Sequence, residues 1–143
     1  LLEVPSGSTW YSAADAPYPK QDLTKAKALM KKAGLSKGIK VSYLGLPQYP
    51  ELLKTGEVLK EQLAKIGVDM AIQQVDVSVW FDKFSKGTYE ITSAYQERTL
   101  DPDNFYSLVL KSGAAINASG YTHPAVDTLN AQAAATTNSA KRK

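Results

Sequence analysis

Apolar positions along the chain recur at two spacings, and the alternation between them predicts the order of elements. From Asp22 to Ala33, the residues Leu23, Ala26, Met30 and Ala33 step by three or four, one face of a helix. Asp22 suits its N-cap, and Gly34 suits the left-handed residue that follows a helix end. Over Ile39–Leu46 the period drops to two: Ile39, Val41 and Tyr43 alternate with polar partners, and Leu44 and Leu46 follow. That is a strand, bounded by Gly38 and Pro47. Pro50 opens a second helix, with Leu52, Gly56, Leu59, Leu63 and Ile66 on one side and Gly67 as its stop. Val68–Val75 reads as a second strand. A short helix carrying Trp80, Phe81 and Phe84 ends at Gly87, and Tyr89–Tyr95 reads as a third strand.

The next segment, Gln96–Leu100, is a turn, and Asp101-Pro102 combines an N-cap with a first-position proline. Phe105, Leu108 and Val109 form the apolar side of the helix that follows. Ser112–Gly120 is loop, and His123-Pro124 opens a last helix with Val126 and Leu129 expected inward. Strand, helix, strand, helix, strand implies right-handed crossovers. The expected fold is therefore α/β, a largely parallel or mixed sheet with helices on both faces. Residues 1–20, rich in Pro, Ser and Ala without a clear period, read as an extended lead-in pinned by Trp10, Tyr11 and Tyr18; residues 21–143 read as one α/β lobe. Ligands of such sheets sit beyond the carboxyl ends of the strands. Those ends are Gly45–Pro50, Asp76–Trp80 and Tyr95–Asp101.

Charge and composition remove several function classes. Seventeen Lys and Arg against fourteen Asp and Glu give a net charge of +3, and Lys141, Arg142 and Lys143 account for all of it. A basic face across the body, which nucleic-acid binding needs, is missing. No stretch approaches the ~20 apolar residues of a membrane span, so no direct membrane insertion is expected. With no cysteine and only His123, thiolate zinc sites, Cys nucleophiles and His charge relays have no residues to use. No phosphate-cradling glycine loop and no GxSxG elbow occurs. No cofactor is expected. Asp101 and Asp103 read as acid at a helix N-terminus. The chain opens without a charged stretch leading into an apolar run, and its far end loses its apolar stripe without a Gly or Pro stop. The expectation is a fragment of a longer protein.

Among aromatic residues, Trp80, Phe81 and Phe84 are expected in the core. Tyr95 is different, because it ends a strand just before a polar turn that contains Arg98. An aromatic residue beside a cation at a strand's carboxyl end suits a small-molecule pocket.

The order of segments resembles a known family. AKALMKKAGLSKGIKVSYLGL, VLKEQLAKIGVDMAIQQVDVSVWFDKFSKGTYEI, DPDNFYSLVL and NASGYTHPAVDTLNAQA are together similar to the extracytoplasmic solute-binding proteins of family 5, which serve peptide and nickel ABC importers. The likeness covers roughly residues 17–135 and only the second lobe of that family's two-lobed, periplasmic-binding-protein-like fold. The resemblance implies ligand enclosure by lobe closure, a missing partner lobe, ABC transporter membrane subunits as partners, and a periplasmic or extracytoplasmic location. In the family's peptide-binding members, a Trp precedes an Asp that takes the ligand's amino group, three residues before the Asp-Pro pair. Here Tyr95 holds the aromatic position, and Arg98 stands where that Asp would be. The expected ligand-binding residues are Tyr95 as a wall, Arg98 as a charge-assisted donor, and Gln96 and Asn117 as polar orienters. The expected ligand is a peptide-related or polar solute, more opine-like or sugar-like than an ordinary peptide held by its amino group. Other readings are a ligand-free α/β interaction or scaffold domain, and a small hydrolase-like enzyme with Asp101 or Glu97 as base.

Overall fold

The computed structural model describes residues 20–95 and 101–142, together with Gly7 and Tyr11. Most of the lead-in, including Trp10 and Tyr18, and the turn over 96–100 lie outside the described residues. Internal contacts group the chain into two compact units, residues 20–95 and residues 1–19 with 96–143.

The unit over 20–95 begins with α1 (Leu23–Lys32). The Asp22 carboxylate accepts the Lys25 N–H at 2.8 Å, and Lys31 and Lys32 lie at the negative end of the helix dipole. Then come β1 (Ile39–Gly45), α2 (Pro50–Ala64), β2 (Val68–Gln74), α3 (Val77–Lys86) and β3 (Ile91–Thr92). The sheet order is β2-β1-β3, and both pairings are parallel. The register runs from Ile39 opposite Val68 to Gly45 opposite Gln74 on one side of β1; on the other, Tyr43 faces Ile91 and Leu44 faces Thr92. The fold class is α/β with an open parallel sheet.

Because β3 returns to the far side of β1, right-handed crossovers put α2 and α3 on opposite faces. Packing agrees with this. Neighbouring side chains on a strand point to opposite faces. The fully buried ring of Tyr43 lies under Gly56 of α2, and its hydroxyl donates to the Leu52 carbonyl at 2.7 Å. Leu44, the next residue, joins Leu46, Leu52 and Trp80 of α3 in the buried cluster, with Val75, Val77, Phe84 and Tyr89 against it.

Two expectations for this unit are corrected. The third strand spans two residues, not Tyr89–Tyr95, because a side chain takes the Ser42 N–H before Ile91 and β1 itself stops at Gly45. The Glu90 carboxylate accepts the Ser42 N–H at 2.6 Å and its hydroxyl at 2.5 Å, and the Thr92 hydroxyl donates to the Leu44 carbonyl at 2.7 Å. Phe81 is not core. The inward row of α3 is Val77, Trp80 and Phe84, whereas Phe81 stands at its rim, edge-on to Trp80 and 60% exposed. A two-residue β3 leaves a narrow floor beneath that helix.

In the second unit, α4 (Asp103–Phe105) runs into a π-helical turn over Tyr106–Leu110, followed by α5 (Pro124–Ala134) and α6 (Ser139–Arg142). The Asp101 carboxylate accepts the Asp103 N–H at 3.0 Å, but the N-cap of α4 is Pro102, one residue later than expected. Leu129 does not point inward; it is 63% exposed. The inward face of α5 carries polar anchors: Asp127 accepts from the Ser112 N–H and hydroxyl, and Asn130 reaches the Ser107 hydroxyl. At 100° per residue, Leu129 stands more than a third of a turn from the midpoint between Asp127 and Asn130.

Gly56 gives a direct test of the α2–β1 packing. A Cβ there would lie 2.5 Å from the Tyr43 ring. Replacing a helix-interior glycine by alanine gains up to ~1 kcal/mol in propensity, but overfilling a packed core costs ~1–3 kcal/mol. Tyr43 is buried and tethered, so the second effect wins. Gly56→Ala is expected to lower the urea midpoint; a raised midpoint would show that the ring moves freely.

Candidate functional site

At the carboxyl end of the sheet, β1 leads into α2 on one face and its neighbour β2 into α3 on the other, which is where a parallel sheet opens a crevice. Leu46–Tyr49 leave β1 there, Val75 and Asp76 leave β2, and Ser93–Tyr95 leave β3. Tyr49 and Tyr95 meet at this edge, their ring centroids 5.6 Å apart at 73°. Edge-to-face contact suits the aromatic quadrupole, yet both rings remain in water, Tyr49 39% and Tyr95 55% exposed. Next to Tyr49, the Gln48 amide lies 3.5 Å from the Asp76 carboxylate at the start of α3.

Beneath the aromatic pair runs a bonded chain. The Trp80 indole N–H donates to the Thr92 hydroxyl at 2.8 Å, and that hydroxyl donates to the Leu44 carbonyl. Trp80 is buried and stacks on Phe84 at 4.6 Å, and Phe84 stacks on Tyr89 at 5.8 Å. The aromatics of α3 thus support the sheet edge from below.

Of the four residues expected to bind ligand, Tyr95 is at this edge and exposed. Gln96 and Arg98 lie outside the described residues. Asn117 belongs to the other unit, where its side chain is fully engaged by its own loop. Its amide nitrogen donates to the Lys111 and Tyr121 carbonyls, and its oxygen accepts from the Tyr121 N–H and the Ser119 hydroxyl. Those four bonds fill an asparagine's two donor and two acceptor positions. Tyr49 was not singled out from the sequence, though its loop was; an aromatic residue directly before a helix-opening proline, just past a strand, was the available signal.

In the second unit, Asp101 and Arg142 form a two-pronged pair, Nη1 to Oδ2 at 2.7 Å and Nη2 to Oδ1 at 2.8 Å. Arg142 Nε also donates to the Ala133 carbonyl. The pair borders an open groove of about 530 Å³ that Asp103, Asn104, Thr136 and Thr137 help to line. The guanidinium, then the Asp103 N–H, holds the Asp101 carboxyl below the usual carboxylate range. A carboxylate kept ionised in this way is a poor general base. Among the described residues, no cluster of His, Asp and Glu could hold a metal ion, and no helix is long and apolar enough to cross a membrane.

Comparison with known proteins adds the following. A profile of the bacterial extracellular solute-binding proteins, family 5, middle region, matches residues 2–117. The dipeptide-binding protein of Escherichia coli K12 is 27% identical over 106 residues, which span 71% of this chain and 20% of that protein. The ABC transporter-associated periplasmic binding protein DppA of Helicobacter pylori, in complex with the peptide STSA, superposes with a TM-score of 0.81 at 27% identity over 96% of this chain and 28% of that one. The binding protein AgaA of Agrobacterium tumefaciens R10, in complex with agropinic acid, also gives 0.81 at 27% identity, over 97% and 29%. The chain thus spans between a fifth and three tenths of the length of these relatives.

Three carboxylates make stability depend on acid. Glu90 titrates low because the Ser42 hydroxyl and N–H donate to it, Asp101 because of Arg142 and Asp103, and Asp127 because the Ser112 hydroxyl and N–H donate to it. A carboxyl whose folded pKa lies below its unfolded value of about 4 stabilises the fold fully above that value. Its contribution is lost as pH falls through the folded pKa. The urea midpoint is therefore expected to hold from neutral pH to about pH 5 and to fall below about pH 4. Glu90→Gln should lower the neutral midpoint and flatten part of that fall; an unchanged acid slope in this variant would remove Glu90 from the account.

Proposed function

This chain belongs to the bacterial extracellular solute-binding proteins of family 5, and on that basis we propose that it forms a ligand-binding lobe of the substrate-binding subunit of an ABC-type importer. The observation that carries the proposal is the exposed Tyr49–Tyr95 pair at the carboxyl end of a parallel sheet. Apolar faces left wet at a site of this kind are half of an enclosure. A partner lobe of the full-length protein closes over them, since small ligands bind with ~70–90% of their surface covered. Capture is non-covalent, with no bond made or broken. The full-length protein works outside the cytoplasmic membrane, in contact with the transporter's membrane subunits.

In this reading Tyr95 is the ligand's van der Waals wall and Tyr49 its neighbour, Arg98 provides a charge-assisted hydrogen bond, and Gln96 a polar contact. Asn117 acts indirectly, by fixing the loop over 111–121 that its four hydrogen bonds close. The ligand class follows from the sign of residue 98. A guanidinium repels an ammonium group and offers a planar fork to carboxylate or sugar oxygens. Relatives of equal likeness hold a peptide in one case and agropinic acid in the other, so overall similarity is neutral between the two and local charge decides. Arg98 favours an anionic, opine-like or polyhydroxylated solute.

Calorimetric titration of the full-length protein with agropinic acid and with a neutral dipeptide tests this. The acid is expected to bind more tightly. Arg98→Ala should weaken it by roughly ten- to a hundredfold, the worth of a hydrogen bond to a charged group, and Tyr95→Ala should weaken it too. Tight dipeptide binding that survives Arg98→Ala would sink the ligand assignment.

A further inference from the structure

Side chains as well as backbone hold β3 to β1, and they do so directly ahead of the segment that carries Tyr95. In a parallel strand, alternate residues turn their backbone groups to opposite neighbours. On β1, Ile39 and Gly45 turn theirs toward β2, with Ile39 N–H on the Gly67 carbonyl and Val75 N–H on the Gly45 carbonyl. Ser42 and Leu44 therefore face β3. The Ser42 N–H donates to the Glu90 carboxylate and the Thr92 hydroxyl donates to the Leu44 carbonyl, so side chains join β3 to β1 on either side of Ile91.

The Thr92 hydroxyl is itself aimed. Trp80 Nε1–H donates to its oxygen at 2.8 Å, so its one proton is directed to Leu44. Trp80 cannot swing away, being buried against Leu44, Leu46 and Leu52 and stacked on Phe84. The Thr92 hydroxyl on the Leu44 carbonyl pins the end of β3 to β1. The chain then leaves the sheet, and three residues later Tyr95 lies edge-on to Tyr49. We propose that Thr92 is a positioning residue for the ligand site: its Trp80-held hydroxyl anchors the end of β3 to Leu44, and that anchor holds Tyr95, three residues on, against Tyr49. The functional half of this inference rests on the reading of that edge as ligand-facing; the geometric half does not.

The experiment uses the full-length protein with its tyrosine rings selectively labelled, and compares wild type with Thr92→Val, which keeps the shape and removes the hydroxyl, and Thr92→Ser, which keeps the hydroxyl. The nuclear Overhauser contact between the Tyr49 and Tyr95 rings is expected in wild type and Thr92→Ser and lost in Thr92→Val. Affinity for whichever of agropinic acid and the neutral dipeptide binds wild type should fall roughly tenfold in Thr92→Val. It should recover to within about threefold in Thr92→Ser. In a Tyr95→Ala background, Thr92→Val should have no further effect, the coupling expected of a residue that works through Tyr95. A ring contact that persists in Thr92→Val, or an affinity loss that adds in full to that of Tyr95→Ala, overturns the proposal. Wild type that binds neither probe overturns the proposed function instead, and the ring contact then decides the positioning claim alone. Should Thr92→Val fail to fold, Thr92→Ala is judged by the same two readouts.

Discussion

Strand β1 is the constraint on which the unit over 20–95 depends. It pairs on both edges and is covered on both faces, so every direction out of it is occupied. A strand in that position must be apolar on successive residues rather than alternate ones. Tyr43 and Leu44 meet that demand, one under α2 and the other under α3, and Leu46 extends the cluster past the strand. The order of strands, the opposite placement of the two helices and the crevice at the carboxyl end all follow from β1 lying in the middle.

How much of this was legible in the sequence depended on the range of the signal. Asp22, Pro50 and Gly87 act on their own helices, and each marks the boundary it predicted. The parallel α/β class followed from the alternation of periods, itself a local property. The length of β3 was not legible in the same way. Tyr89–Tyr95 alternates like a strand, but Glu90 takes the Ser42 N–H across 48 residues of sequence, and the partner strand β1 stops at Gly45. The Asp101–Arg142 pair spans 41 residues and is equally invisible to spacing. Leu129 was misplaced because the inward face of α5 is held by hydrogen bonds, which leave no apolar period to read.

The same comparison explains why the candidate site was partly legible. Two of the loops expected to leave the strands, Gly45–Pro50 and Asp76–Trp80, follow β1 and β2 because the parallel sheet fixes where they emerge, whereas the third begins at Ser93, ahead of the expected Tyr95–Asp101. Which side chains within those loops face one another is a matter of contact. Tyr95 was singled out because the alternation placed it at a strand end beside a charged turn. Its partner Tyr49, 46 positions earlier, needed coordinates. Asn117 shows the opposite case. A polar residue in a loop looks available in sequence, yet its four hydrogen bonds close the loop that carries it.

The proposed site has a physical consequence for how binding and closure are linked. Two half-exposed rings give a ligand one wall, and water still reaches its other side. In that setting a charge-assisted bond from a guanidinium is worth little, because exposed charges interact through a high dielectric and are screened. When a second wall removes the water, the same pair of charges interacts through a lower dielectric and the bond strengthens. The apolar contact on Tyr95 and Tyr49 gains as well, since area shielded from water stabilises at ~25 cal/mol per Å². Both contributions therefore grow with closure and are small without it. A ligand whose charge complements the guanidinium stabilises the closed state more than the open one, whereas an ammonium ligand meets stronger repulsion in the closed state. Under the proposed function, the sign of one loop residue would thus select both the ligand and the conformation that retains it.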